Sequence, residues 1–244
     1  MGIVARCVVE TGTGKSAWVF LGCGMGLGVA SVERVVVEGV TRMFGGTAAL
    51  RGVNVELSRG SLVFLEGPNG AGKSTLLAVI GTLLKPTRGR VRYEPLGDEL
   101  PAVRAEIGWV AHEAFCYREL TGQENVELAA KLYGCKVEGR WEDVCARVGA
   151  ERFGQKPFGS LSRGQKQRIA LARALVHGPS LVLLDEPFTG LDPGSSERLE
   201  AVLVEEVERG ALVVVVNHAP GMAQRLGARV IRIEGGRIAN DAAR

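Results

Sequence analysis

The stretch Leu65–Val79, LEGPNGAGKSTLLAV, decides how this chain is read. Within it, Gly67, Pro68, Asn69, Gly70, Ala71, Gly72, Lys73 and Ser74 fit the spacing G-x-x-x-x-G-K-[ST], with Thr75 next. The preceding run, Ser61–Glu66 (SLVFLE), is short and apolar, as a buried parallel strand is. The glycines let several backbone N–H groups turn inward on one anion. A helix predicted over Lys73–Leu84 points its positive end at the same place. Lys73 then reaches the β- and γ-phosphates of a nucleotide, and the Ser74 hydroxyl suits Mg²⁺. The expected ligand is a nucleoside triphosphate, held by Gly67 through Thr75.

A second Gly-Lys-Ser occurs at Gly14–Ser16, in TGTGKS. The first glycine of the pattern would there be residue 9, which is Val9. The residues that follow are studded with glycine and carry no helical period, so this copy is read as coincidence.

A phosphate loop alone implies only nucleotide binding. Further on, SLVLLDEPFTGLDP (Ser180–Pro193) contains a second buried strand, Leu181–Leu184, which delivers Asp185 and Glu186 at its carboxyl end. Ligands of open α/β sheets sit at that edge. Asp185 suits Mg²⁺, directly or through water, and Glu186 suits deprotonation of a water attacking the γ-phosphate. A third strand, in ALVVVVNH, ends on His218, whose neutral imidazole can hydrogen-bond the γ-phosphate or that water. Between these strands lies GSLSRGQKQRIALARALVHGP. Ser162 caps a helix running to about Val176, with Arg163, Gly164 and Gln165 in its first turn and an apolar stripe through Ile169, Ala172 and Val176. That helix start is an anion-binding end with no ligand of its own. His177, before Gly178 and Pro179, is read as a partner of the helix's C-terminal dipole.

At this point the chain resembles the ATP-binding cassette (ABC) ATPases. GPNGAGKST resembles their phosphate loop, LVLLDEP and TGLD their magnesium strand and the loop after it, and LSRGQ their LSGGQ signature, with Arg163 in place of the usual glycine. His218 falls at their switch histidine, and Phe44, in TRMFGG, where an aromatic ring stacks on adenine. The resemblance implies an ATPase that works as a head-to-tail dimer. Ser162, Gly164 and Gln165 of each copy complete the other copy's ATP site, and dimer closure drives integral membrane permease subunits. Where the family usually has Gln, this chain has His112, followed by Glu113. His112 is a candidate contact to Mg²⁺ or the water. That histidine, LTGQEN and DEPFTGLD together resemble the ATPase of the haem-exporting system of bacterial cytochrome c maturation. Export ATPases for drugs, lipids or polysaccharide are the close alternatives, and a non-transporter ABC ATPase acting on DNA or ribosomes is a further one.

The implied fold is α/β: a P-loop NTPase with a RecA-like parallel core, an antiparallel β edge from the N-terminal strands, and an inserted helical subdomain. Strands are expected at Val35–Val40, Val53–Leu57, Ser61–Glu66, Gly108–Val110, Leu181–Leu184, Leu212–Val216 and Val230–Ile233, with a final hairpin around Gly235–Gly236. The cassette is expected over residues 32–244, with the helical subdomain at roughly 114–159. Thr121 with Glu124 forms a capping box in that subdomain, and its first helix ends near Gly134. Residues 1–31 form an N-terminal extension. Its uncharged segment Ala17–Val32 carries four alternating glycines and admits several readings: a disordered or mis-started tail, a peripheral anchor, a signal, or an odd core segment. The net charge of +3 points to no nucleic-acid groove, and no nucleic acid partner is expected. Five scattered cysteines with no CxxC pair argue against zinc and against a disulfide framework. The expected location is the cytoplasmic face of the bacterial inner membrane.

Overall fold

The structure, a computed structural model, describes residues 7–11, 15–19, 31–111, 115–217 and 221–242. It opens with an antiparallel hairpin, β1 (Cys7–Thr11) and β2 (Lys15–Val19). Lys15 therefore opens a strand, whereas Lys73 opens a helix. Most of the uncharged segment 17–32 lies outside the described residues, and no helix among the described ones is long and apolar enough to cross a membrane.

The main sheet has six strands. These are β5 (Leu62–Glu66), β7 (Ile107–Val110), β8 (Leu181–Asp185), β9 (Leu212–Val216), β10 (Arg229–Glu234) and β11 (Arg237–Ala242), in the order β11-β10-β5-β9-β8-β7. All neighbours are parallel except the β10–β11 hairpin. The central strands are buried on both faces, which is why they read as unbroken Val/Leu runs.

The N-terminal strands depart from expectation. β3 (Arg34–Phe44) and β4 (Thr47–Ser58) are longer than predicted and pair with β6 (Arg88–Glu94) as a separate three-stranded antiparallel sheet, ordered β4-β3-β6. They are not an edge of the main sheet; one backbone bond, Arg51 N to the Gly236 carbonyl at 2.8 Å, ties β4 to the β10–β11 turn. The reason is α1 (Lys73–Ile80), which must be covered on both sides. Its Leu76, Leu77 and Ile80 share one core with Val35, Val37, Leu50 and Val53 of the small sheet and Val63, Leu65, Leu183 and Val214 of the large one. A sheet that wraps a helix leaves the plane of its neighbour. The strand β6, RGRVRYE, was not predicted: its arginines face outward and only Tyr93 is buried, so it carries no apolar run.

The remaining helices are α2 (Leu100–Ala105), α3 (Gly122–Leu132), α4 (Arg140–Val148), α5 (Arg163–Leu175), α6 (Pro193–Glu208) and α7 (Met222–Arg225), with a 3-10 turn at Phe158–Ser160. Helices α5 and α6 cover the other face of the main sheet, and α3 and α4 pack on them. There Val126, Trp141, Val144, Ile169, Leu171 and Leu203 pack with Phe64, Val182 and Val215. The capping box predicted for α3 is formed: Glu124 N donates to Thr121 Oγ1 at 3.1 Å and Thr121 N donates to Glu124 Oε2 at 2.7 Å. Arg147 of α4 pairs with Glu205 and Glu206 of α6, fastening α4 to the core.

His177 is not the dipole partner that the sequence suggests. Its ring stacks on Tyr133 at the end of α3, with centroids 3.6 Å apart. Burial lowers its pKa from the usual 6.5 to about 4, so the ring is neutral and supplies no cation to the end of α5.

Candidate nucleotide site

The carboxyl ends of β5, β8 and β9 meet at one edge of the main sheet. Register places Leu65 and Asp185 on either side of Val216. From β5 the chain turns through the phosphate loop into α1. Gly72, the residue capping that helix, has φ of 107°, a left-handed conformation that glycine adopts freely. A Cβ there would stand 2.5 Å from the Ala49 carbonyl oxygen of β4. The small sheet therefore presses directly on the loop.

Lys73 is only 4% exposed. Its Nζ donates to the carbonyls of Gly67 and Pro68, both at 2.9 Å. Burial lowers its pKa, against the opposing pull of Glu186 and Asp185. The Ser74 hydroxyl donates to Asp185 Oδ1 at 2.9 Å, joining residues 111 apart in the chain. Two hard oxygen donors side by side suit magnesium, which takes few protein ligands and completes its shell with phosphate and water. Among the described residues, no cluster of three or more His, Cys, Asp or Glu side chains offers an all-protein metal cage. The donor set thus fits a nucleotide-associated ion rather than a resident one.

Glu186 has φ of 50°, in the left-handed region that non-glycine residues avoid at about 1–2 kcal/mol. Its backbone is fixed on both sides: the Glu186 N–H donates to the Val216 carbonyl at 3.0 Å, and Thr189 N donates to the Glu186 carbonyl at 3.2 Å. The Thr189 hydroxyl reaches Glu186 Oε2 at 3.4 Å. Such strain persists only where surroundings over-determine it, and it clusters at functional sites. Sequence reading missed Thr189, because a threonine in a loop gives no signal until the φ of its neighbour is known.

Phe44 ends β3 and is 47% exposed. The return strand of its hairpin carries Ala49, the residue against Gly72. Ser162, Gly164 and Gln165 stand elsewhere, with the loop after β8. Ser162 and Gln165 form a capping box on α5, with bonds of 3.4 Å to Ser162 Oγ and 3.0 Å to Gln165 Oε1. A Cβ on Gly164 would lie 3.6 Å from Ser195 Oγ of α6. Asp192 caps α6 through Ser195, and Arg168 Nη2 donates to Ser195 Oγ at 2.8 Å. Arg163, which replaces the usual signature glycine, lays its side chain against Gly190. The two other expected site residues, His112 and His218, lie outside the described residues.

A cavity of about 370 Å³ opens at the opposite, amino-terminal edge of the sheet, between α4, α5 and α6. Its arginines are engaged structurally: Arg59 Nε donates to the Gly210 carbonyl and Arg147 pairs with the α6 glutamates. Ser74, Asp185 and Glu186 stand at the other edge.

The family described as ABC transporter matches residues 50–189, more than half of the chain. The chain belongs to the ABC transporter ATPases. Among solved structures, this ABC cassette is similar to the ATP-binding cassette MJ0796 in a dimeric post-hydrolysis state bound to ADP and Pi. Identity is 34%, TM-score 0.78, with 85% of this chain and 97% of that one covered. Among curated relatives, it is 38% identical over 226 residues to the macrolide export ATP-binding/permease protein MacB of Bradyrhizobium diazoefficiens. The match covers 88% of this chain and 34% of MacB, so the cassette spans about a third of that relative's length. It is 36% identical over 179 residues to the cytochrome c biogenesis ATP-binding export protein CcmA 2 of Cupriavidus metallidurans, covering 71% of this chain and 84% of that one. Transporters of different kinds match at similar identity, and no single cargo stands out among them.

Proposed function

We propose that this ABC cassette, over residues 32–244 with an inserted helical lobe at roughly 114–159, powers a transporter by hydrolysing ATP between two copies of itself. The observation that carries the reading is the 2.9 Å contact between Ser74 and Asp185, which joins the phosphate loop to the carboxylate strand. Gly67 through Thr75 cradle the phosphates, with Lys73 on the β- and γ-phosphates and Phe44 under the adenine. Ser74 and Asp185, with His112 as a further candidate, would hold magnesium, which would supply charge neutralisation at the phosphates. Glu186 accepts a proton from water as the water oxygen bonds to the γ-phosphorus and the bond to the β-phosphate oxygen breaks. His218 hydrogen-bonds that water or the γ-phosphate. Ser162, Gly164 and Gln165 of the second copy close over the same phosphates, as a helix start does.

The membrane partners are separate permease subunits, and the cassette docks on them from the cytoplasmic side of the inner membrane. The cargo we propose is haem for cytochrome c biogenesis. His112, LTGQEN and the identity with CcmA 2 support it. Export of a drug, lipid or polysaccharide is the second reading, and the identity with the macrolide export protein MacB supports the drug among them. Haem-stimulated turnover in vesicles holding the cassette with its co-purified permease separates the two.

Glu186→Gln tests the mechanism. The variant is expected to lose at least roughly a hundredfold in steady-state turnover and to accumulate as an ATP-bound dimer on size-exclusion chromatography. Ordinary hydrolysis by this variant would remove Glu186 as the base.

A further inference from the structure

We infer that Arg42 is a positioning residue for ATP: its guanidinium backs the Phe44 ring so that the ring's open face receives the adenine. The inference rests on the role proposed above for Phe44. Arg42 and Phe44 are two residues apart on β3, so their side chains share a face. The Arg42 guanidinium carbon lies 4.7 Å from the Phe44 ring centroid, within range of a cation–π contact.

The arginine is itself anchored. Its Nη1 donates to the Lys85 carbonyl at 2.9 Å. Beside it, Met43 N donates to Thr87 Oγ1 at 3.1 Å, and Thr87 N donates to the Thr41 carbonyl at 2.8 Å. Residues 85–87 follow α1 in the chain, so the helix that carries Lys73 and Ser74 leads into the clamp on Arg42.

This support is needed because the ladder is irregular here. The β3–β4 register shifts between Val40 and Arg42 and again between Arg42 and Met43, and the β3–β6 register shifts between Glu38 and Thr41. A half-exposed phenylalanine at the end of a bulged strand has several rotamers open to it. The cation selects one, and by drawing on the ring's electron density from behind it favours stacking of a π-rich base in front. Arg42 touches neither phosphate nor base in this arrangement; it acts through Phe44.

The test is equilibrium binding of ATP and of inorganic tripolyphosphate, both with magnesium, to the full chain. Arg42→Met keeps the apolar stem and removes the cation; Arg42→Lys restores a cation. Arg42→Met is expected to weaken ATP roughly three- to tenfold while leaving tripolyphosphate unchanged, and Arg42→Lys to recover most of the loss. The double variant with Phe44→Ala is expected to bind ATP no more weakly than Phe44→Ala alone. Equal losses for ATP and tripolyphosphate in Arg42→Met would overturn the inference, as would losses that multiply in the double variant. Wild-type ATP binding by Phe44→Ala is a separate result, and would remove the adenine platform itself.

Discussion

Gly70 and Gly72 sit two residues apart in the same loop, both with positive φ, yet a methyl group would meet different surroundings at each. Nothing lies within 4 Å of a Cβ on Gly70, whereas on Gly72 it would run into the Ala49 carbonyl and Leu50. Gly70→Ala is therefore expected to lose only the backbone preference, about 1–2 kcal/mol. Gly72→Ala adds a clash with main chain that cannot swing aside, so its loss in urea unfolding should exceed that of Gly70→Ala, and its ATP affinity should fall with it. Equal losses in the two variants would mean that the small sheet does not press on the loop. Lys73 illustrates another residue-scale effect. Its burial disfavours the charge, and the two nearby carboxylates favour it, so the acids at the end of β8 help keep Lys73 cationic.

At the scale of elements, two helices start with the same device. Thr121 and Glu124 open α3, and Ser162 and Gln165 open α5, each pair as a reciprocal capping box. Thr121→Ala and Ser162→Ala are each expected to lower stability by about 1 kcal/mol in urea denaturation. Only Ser162→Ala should also reduce ATP turnover, because only that helix start is proposed to face a nucleotide. A loss of turnover confined to Thr121→Ala would reverse that assignment. Both caps were legible in the sequence, as were the phosphate loop, the Asp185–Glu186 strand end and the final hairpin, because each is written in residues close together in the chain. What escaped was non-local. β6 is arginine-rich and borrows its place from β3. The split into two sheets goes with the core that both share around α1, and the role proposed for Arg42 depends on the ring beside it. His177 was misread for the same cause: its neighbour in sequence is a helix end, but its neighbour in space is Tyr133.

At the scale of the whole molecule, that stacked pair joins α3 to the end of α5, and it makes the joint sensitive to acid. Above pH 6.5 the imidazole is neutral in both folded and unfolded chains, and stability does not change on its account. Between 6.5 and about 4 the unfolded chain takes up a proton that the folded chain refuses, so stability falls as pH falls through that window. Burial is the main cause; Arg173 and Arg140 add to it, and the Ile107 backbone opposes it. The full shift corresponds to no more than about 3 kcal/mol. His177→Phe keeps a ring against Tyr133 without a titrating group. Urea unfolding at pH 7 and pH 4.5 should show the wild type losing about 2 kcal/mol more than this variant; parallel losses would place the imidazole in contact with water. The strand order has a further consequence, for biosynthesis. β5, which carries the phosphate loop, lies between β9 and β10, and both are made some 150 residues later. A nascent chain halted after α6 already contains every letter of the loop but neither flanking strand. Nucleotide therefore has no seated cradle to enter until β9 and β10 have been made and paired, so its binding can assist only the last steps of assembling this sheet.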